Sequence, residues 1–136
     1  MDAVILAGGE SKRMGVSKAL LPLEGVSLVQ HVLNTCGLMF RKVFVVTRVP
    51  ETVGPVDAEV LKDTHAARGP LAGLARGLSR SEGPWAFLAG CDMPFINPAV
   101  VRRMADQLND CDVLAAVNGE RAQPLHAFYN RSCLRP

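Results

Sequence analysis

The sequence has little excess of charge of either sign and no cysteine pattern that would bind a metal. Its 15 Lys and Arg residues nearly balance 13 Asp and Glu residues, and the formal net charge of +2 is too small to indicate nucleic-acid binding. The four cysteines form no C-x-x-C pair and have no histidine at zinc-ligand spacing. We therefore predict that they are buried or free thiols: Cys36, Cys91, Cys111 and Cys133.

The sequence also lacks an apolar run long enough to span a bilayer, and it has no repeat or low-complexity stretch. The first residues lead directly into an apolar strand pattern without the basic and hydrophobic regions of a leader, so we expect a cytoplasmic protein that does not contact membranes. Hydrophobic residues make up 49% of the chain, enough for a real core. A length of 136 residues predicts one domain over 1–136.

Strand patterns alternate with helical patterns along the chain. We predict strands at 3–6, 42–47, 59–61, 85–89 and 112–117, extended segments at 19–23 and 124–129, and a turn at 118–119. Helices are predicted to begin near Leu28 after a Ser27 cap, at Pro70, and at Pro98 after an Asn97 cap. This alternation is typical of an α/β fold with a mostly parallel, Rossmann-like sheet between helical layers, that is, three layers in the order α/β/α.

A glycine pair, Gly8-Gly9, ends the first strand, and three cations follow it at Lys12, Arg13 and Lys18. Glycines let backbone N–H groups approach a ligand closely, and nearby cations favour phosphate. We predict that this loop binds the phosphates of a nucleotide. The spacing fits neither the P-loop nor the G-x-G-x-x-G dinucleotide motif. An ordinary turn with a solvated basic loop is the alternative, and solvation is the interpretation we favour for Lys12.

Two further polar segments, 62–70 and 90–95, are predicted at the same edge, because ligands of open α/β sheets bind beyond the carboxyl ends of the strands. Asp92 directly follows an apolar strand, where a carboxylate needs a partner. Mg²⁺ held by one or two carboxylates and substrate phosphates is the candidate, with a helix or turn cap as the alternative. For Asp63 a solvated loop acid is the alternative to a ligand contact.

The string Leu6-Ala7-Gly8-Gly9-x-Ser11-x-Arg13-Met14-Gly15-x-x-Lys18 resembles the signature of nucleotidyltransferases that activate small phosphorylated substrates. Within that group the sequence most resembles the molybdenum cofactor guanylyltransferases. Three later segments are also similar to that family, and together with the signature they extend the resemblance over nearly the whole chain. They are Asp63 with 69–74 (G-P-L-A-G-L), 91–95 (C-D-M-P-F) and 123–129 (Q-P-L-H-A-F-Y).

The resemblance implies a fold of the nucleotide-diphospho-sugar transferase type and transfer of GMP from GTP to molybdopterin, with Mg²⁺ as cofactor. It implies that Asp92 binds the metal and that Arg13, Lys18 and Asp92 are the catalytic residues. His126, in the last of these segments, is predicted to be a packed core residue without a catalytic role. The implied nucleotide-binding residues are Leu6, Ala7, Gly8, Gly9, Lys18, Asp63, Gly69, Pro70, Leu71 and Asp92.

Members of that family usually continue for some tens of residues with a final helix and an N-x-N-T-P-E segment. This sequence stops at Pro136, so we expect a whole GTP half and an incomplete acceptor half. Self-association, or transient contact with other cofactor-biosynthesis proteins, would be one way to cover the exposed edge. Two alternatives stay open: another nucleotidyltransferase that uses CTP or a sugar phosphate, and a shortened non-catalytic GTP-binding module.

Overall fold

The computed structural model describes residues 1–8 and 17–135 of the chain. Within these ranges the chain forms eight β-strands and three α-helices, together with short 3₁₀ turns at Lys18–Leu20, Pro50–Thr52 and Arg131–Leu134. No helix in this part of the chain is both long and apolar enough to cross a membrane. In chain order the elements are β1 (Asp2–Leu6), β2 (Pro22–Leu23), β3 (Val26–Ser27), α1 (Leu28–Gly37), β4 (Val43–Thr47), β5 (Glu59–Lys62), α2 (Pro70–Arg80), β6 (Trp85–Gly90), α3 (Pro98–Ala105), β7 (Val113–Asn118) and β8 (Arg121–Asn130).

Six strands form the central sheet in the order β5-β4-β1-β6-β8-β7. The first four are parallel to one another, and β8 is antiparallel to both β6 and β7. In the middle of the sheet Ile5 of β1 lies between Val45 of β4 and Ala89 of β6. Only β8 runs against the other strands, so the predicted mostly parallel sheet is confirmed.

Side chains alternate between the two faces of the sheet and build a core on each face. Ala3, Ile5 and Phe87 pack with α1 and α3, while Val4 and Leu88 pack with α2 on the other face. All five side chains are essentially buried. Helices therefore cover both faces of the sheet, which confirms the predicted three layers.

Two helix starts follow the predicted capping chemistry. The Ser27 side chain accepts a hydrogen bond from the backbone N–H of Gln30 at 3.3 Å, and the Asn97 side chain accepts one from the N–H of Ala99 at 2.9 Å. Pro70 and Pro98 are the first residues of α2 and α3, where the missing proline N–H costs no helical hydrogen bond.

Two segments differ from the prediction. Residues 19–23 were expected to be extended, and Pro22–Leu23 is extended as β2. Lys18–Leu20 instead forms a 3₁₀ turn, because the N–H of Leu20 donates to the carbonyl of Ser17, and the turn buries Ala19. The last strand begins at Arg121 rather than near 124. Gly119 has a φ of +63°, which closes a tight turn and lets Arg121 pair with Asn118.

Candidate functional site

A cleft of about 340 Å³ lies beyond the carboxyl ends of β1, β4, β5 and β6. This volume is at the lower end of the range of small-molecule sites, which is roughly 300–1,000 Å³. The cleft is therefore large enough to hold part of a nucleotide. The described residues that line it are Leu6, Ala7, Gly8, Ser17, Lys18, Ala19, Val46, Thr47, Arg48, Asp63, Gly69, Pro70, Gly73, Gly90, Cys91, Asp92 and Leu125.

The segment after β1 forms the middle of the cleft. The N–H of Ala7 donates to the carbonyl of Val46, and the N–H of Cys91 donates to the carbonyl of Leu6, each at 2.9 Å. These hydrogen bonds hold the chain between its two neighbouring strands up to the edge of the sheet. The next residue, Gly8, is exposed, and among residues 1–8 and 17–135 no group lies within 4 Å of where its Cβ atom would be. Within this part of the chain its backbone is open to a ligand.

The charged side chains of Lys18 and Asp92 flank the β6 side of the cleft. Cys91, which directly precedes Asp92 in the chain, is 8% exposed. Burial raises the pKa of the Cys91 thiol to about 11, the negative charge of Asp92 adds to this rise, and the positive charge of Lys18 opposes it. Both charges therefore act on the same small region, next to Gly8.

Asp63 forms the other end of the cleft. Its N–H continues the pairing of β5 with β4 by donating to the carbonyl of Thr47 at 2.8 Å. One carboxylate oxygen, Oδ1, accepts the N–H of His65 at 3.0 Å, and the other, Oδ2, lies 3.9 Å from Nη1 of Arg48. The residue is only 7% exposed. The interpretation of Asp63 as a solvated loop acid is therefore wrong.

The strand order separates the two carboxylates of the cleft. Asp63 follows β5 and Asp92 follows β6, and two strands, β4 and β1, lie between them. Three strand spacings of roughly 4.8 Å place the ends of β5 and β6 about 14 Å apart. A ligand that reaches both carboxylates must therefore be elongated, as a nucleotide is.

The sequence matches the family model of the MobA-like NTP transferase domain over residues 3–136. The chain belongs to this family. It is 36% identical over 132 residues to a probable molybdenum cofactor guanylyltransferase of Pelotomaculum thermopropionicum, covering 97% of this chain and 64% of the relative. It is 34% identical over 132 residues to the molybdenum cofactor guanylyltransferase of Syntrophotalea carbinolica, covering 96% of this chain and 63% of that one.

The fold is also similar to that of a solved structure, molybdopterin-guanine dinucleotide biosynthesis protein A from Archaeoglobus fulgidus. The TM-score is 0.81 at 26% sequence identity, and the match covers 98% of this chain and 69% of the other. This MobA-like NTP transferase chain thus spans about two thirds of the length of the relatives that it matches.

Most of the residues predicted to bind the nucleotide line this cleft. These are Leu6, Ala7, Gly8, Lys18, Asp63, Gly69, Pro70 and Asp92. Leu71 is different, because its side chain is 75% exposed and does not line the cleft. Gly9 and Arg13 lie outside the described residues, so their predicted roles stay predictions.

Thr47 and Arg48 line the cleft but were missed in the sequence, where 48–57 reads as a loop rich in proline and glycine. The hydroxyl of Thr47 donates to the carbonyl of Ala7 at 3.2 Å and so ties the end of β4 to the segment after β1. One feature of the sequence could have identified Thr47 and Arg48 as site residues. Both residues lie at the carboxyl end of an apolar strand, where ligand contacts are expected.

The donors present fit a metal that is shared with a ligand, but not an all-protein metal cage. Among residues 1–8 and 17–135, no group of three His, Cys, Asp or Glu side chains is placed to hold an ion. Asp92 is exposed at the cleft, and its carboxylate oxygen lies where a Cβ on Gly90 would approach to 2.7 Å. One carboxylate, completed by phosphate oxygens and water, is a usual arrangement for Mg²⁺.

His126 lies in β8 next to the cleft residue Leu125 but does not itself line the cleft. Its ring packs edge-on against Phe87 with a centroid distance of 5.2 Å, in agreement with the predicted core position. Within the described part of the chain, Nδ1 is buried without a hydrogen-bond partner. Burial lowers the pKa of His126 below its ordinary value of 6.5.

Proposed function

We propose that this chain transfers GMP from GTP to molybdopterin, giving the guanine dinucleotide form of the cofactor and pyrophosphate. The observation that carries the proposal is the arrangement of the cleft. An open glycine backbone, Lys18 and Asp92 lie at one end and the buried carboxylate of Asp63 lies at the other. The relatives named as molybdenum cofactor guanylyltransferases support the choice of GTP and molybdopterin as the two substrates.

In this reaction a phosphate oxygen of the acceptor attacks the α-phosphorus of GTP. A new P–O bond forms, the bond from the α-phosphorus to the bridging oxygen breaks, and pyrophosphate carries away the electron pair. The attacking phosphate is already an anion, so no side-chain nucleophile is needed. The task of the protein is to align the phosphates and stabilise their charge.

Lys18 is proposed to clamp the phosphates, since it lies in the cleft beside the open backbone of Gly8. Asp92 would hold Mg²⁺, which when bound neutralises charge on phosphate oxygens. Asp63 follows β5, whose end lies about 14 Å from that of β6 across the sheet, and it is proposed to accept hydrogen bonds from the guanine nucleotide. We propose that the reaction takes place in the cytoplasm, where GTP is available.

Thermal unfolding with Mg²⁺ and each of GTP, CTP and ATP tests the nucleotide. A ligand at about 100 times its Kd adds about 2.7 kcal/mol to the free energy of unfolding, so GTP should raise Tm by several degrees. A shift with CTP or ATP instead would contradict the guanine assignment. A GTP shift without pyrophosphate release in the presence of molybdopterin would favour a non-catalytic GTP-binding module.

Lys18→Ala tests the phosphate clamp. We expect the rate of pyrophosphate release to fall at least about tenfold, which is about 1.4 kcal/mol of barrier. Lys62→Ala is the matched control, because Lys62 is an exposed lysine at the same edge of the sheet that does not line the cleft. Equal rates in Lys18→Ala and Lys62→Ala would contradict the clamp.

A further inference from the structure

Arg48 is a positively charged residue of the cleft that has no role in the reaction proposed above. It follows β4 directly, lines the cleft, and has a side chain that is 37% exposed. Its Nη1 donates to the carbonyl of His65 at 3.0 Å and lies 3.5 Å from the carbonyl of Ala67. The same nitrogen is 3.9 Å from Oδ2 of Asp63.

The guanidinium of Arg48 thus contacts three residues of the segment 63–67. The segment has internal hydrogen bonds as well, from the N–H of His65 to Oδ1 of Asp63 and from the N–H of Ala67 to Nδ1 of His65 at 3.1 Å. Those internal bonds shape the turn, and at its start the N–H of Asp63 donates to the carbonyl of Thr47 at 2.8 Å. Arg48, whose backbone directly follows β4, ties the later residues His65 and Ala67 to the sheet.

The two carboxylate oxygens of Asp63 differ in their hydrogen bonds. Oδ1 accepts a hydrogen bond from the N–H of His65, whereas Oδ2 lies 3.9 Å from Nη1 of Arg48, which is too long for a hydrogen bond. Oδ2 is thus held near a positive charge but keeps acceptor capacity for a ligand. An ionised carboxylate only accepts hydrogen bonds, and guanine offers an amino group and a ring N–H as donors.

We propose that Arg48 is a positioning residue for base selectivity. It holds the segment 63–67 on the sheet and keeps Oδ2 of Asp63 directed at the base end of the cleft. The inference rests on the proposed function, since it assumes that the ligand is a guanine nucleotide whose base lies at Asp63.

The position of Arg48 argues against direct contact with the phosphates. Lys18 and Asp92 flank β6 on one side of β1, while Arg48 follows β4 on the other side. The hydrogen bonds of Arg48 to the carbonyls of His65 and Ala67 point farther in the same direction, to the segment after β5. Loss of Arg48 should therefore weaken recognition of the base and leave recognition of pyrophosphate intact.

The test compares Arg48→Ala and Arg48→Lys with the control Arg76→Ala. Arg76 also donates to a backbone carbonyl near this segment, that of Lys62 at 3.2 Å, but it does not line the cleft. The Kd values of GTP, ATP and pyrophosphate are measured by calorimetry with Mg²⁺ present, and Tm is measured for each variant.

For Arg48→Ala we expect a Kd for GTP about tenfold higher and a smaller ratio of ATP Kd to GTP Kd. The Kd for pyrophosphate should stay within about twofold of the original value, as should every Kd in Arg76→Ala. In turnover, KM for GTP should rise more than kcat falls. Arg48→Lys keeps the positive charge and one donor nitrogen, so its Kd for GTP should lie between those of Arg48→Ala and the unmodified protein. This variant carries the test if Arg48→Ala fails to fold.

An unchanged ratio of ATP to GTP affinity in both Arg48 variants would overturn the positioning role while leaving the proposed function intact. Equal losses for GTP and pyrophosphate would identify Arg48 as a phosphate ligand and would also overturn it. If the unmodified protein binds pyrophosphate but no GTP, both the inference and the proposed function are wrong.

Discussion

Replacing Gly77 by alanine should destabilise the protein, although alanine is the better helix former. Gly77 lies in α2 where the helix crosses β1. A Cβ atom at this position would lie 3.0 Å from Cβ of Val4 and 2.6 Å from its Cγ2, and Cγ1 would be closer still. Val4 is 1% exposed in the centre of the sheet, and its branched side chain has few alternative rotamers. The helix must therefore move away from the sheet.

The magnitude follows from two opposing terms. Overpacking a core usually lowers the free energy of unfolding by about 1–3 kcal/mol, and we expect a value near the upper end because the added Cβ clashes with three atoms of one rigid side chain. The higher helix propensity of alanine raises the free energy of unfolding by about 1 kcal/mol. The expected net loss is about 2 kcal/mol. With roughly 2.1 cal/mol/K of unfolding entropy per residue, 136 residues give about 0.29 kcal/mol/K, so Tm should fall by about 7 °C.

Calorimetric unfolding of Gly77→Ala and Gly37→Ala provides the assay. Gly37 is the last residue of α1, is exposed, and has open space around its Cβ position. The same substitution there should leave Tm unchanged or raise it slightly, because only the propensity gain applies. If Gly77→Ala melts at or above the temperature of the unmodified protein, α2 adapts to the added methyl group and the argument from rigid packing is wrong.

Two further predictions concern titratable side chains. Because burial lowers the pKa of His126, the unfolded chain binds more protons than the folded one just below pH 6.5, and the free energy of unfolding falls as pH falls through the folded pKa. In His126→Phe this acid limb should be shallower, as urea unfolding from about pH 7 to pH 5 would show. An unchanged limb would contradict the role of burial. Cys91, with its pKa raised to about 11, should react with iodoacetamide at about pH 8 more slowly than the exposed Cys133. Peptide mass mapping would measure both rates, and equal rates would count against the buried thiol.

The elements that sequence reasoning found are those specified by local chemistry. The apolar runs at β1, β4 and β6, the caps at Ser27 and Asn97, and the prolines at the starts of α2 and α3 each act over a few residues. Such signals can be identified without knowledge of the partners. The start of β8 and the turn at Lys18–Leu20 were missed because both depend on backbone partners that propensity does not reveal.

The site was predictable to a similar extent. That Gly8, Asp63 and Asp92 meet at one edge follows from the rule that parallel strands present their carboxyl ends together. The hydrogen bonds from Arg48 to the segment 63–67 were not predictable. They depend on the direction of the Arg48 side chain, and Arg48 lies 17 positions before His65, whose carbonyl accepts one of them. The role of Leu71 stays a prediction, since its neighbour Pro70 lines the cleft while Leu71 itself is 75% exposed and does not line it.

The order of the strands explains why the segment after β1 lies at the centre of the site. From β1 the chain moves through α1 to β4 on one side, and then to β5 at the edge. From β5 it returns through α2, on the opposite face of the sheet, to β6 on the other side of β1. The connections that leave β1 and enter β6 therefore run in opposite directions and open a crevice between these two strands, which is where open α/β sheets bind ligands. Gly8 follows one of these strands and Asp92 follows the other, so the topology places the backbone of Gly8 and the candidate metal ligand on either side of the crevice. Asp63 follows the edge strand β5, and we propose that it contacts the far end of an elongated ligand.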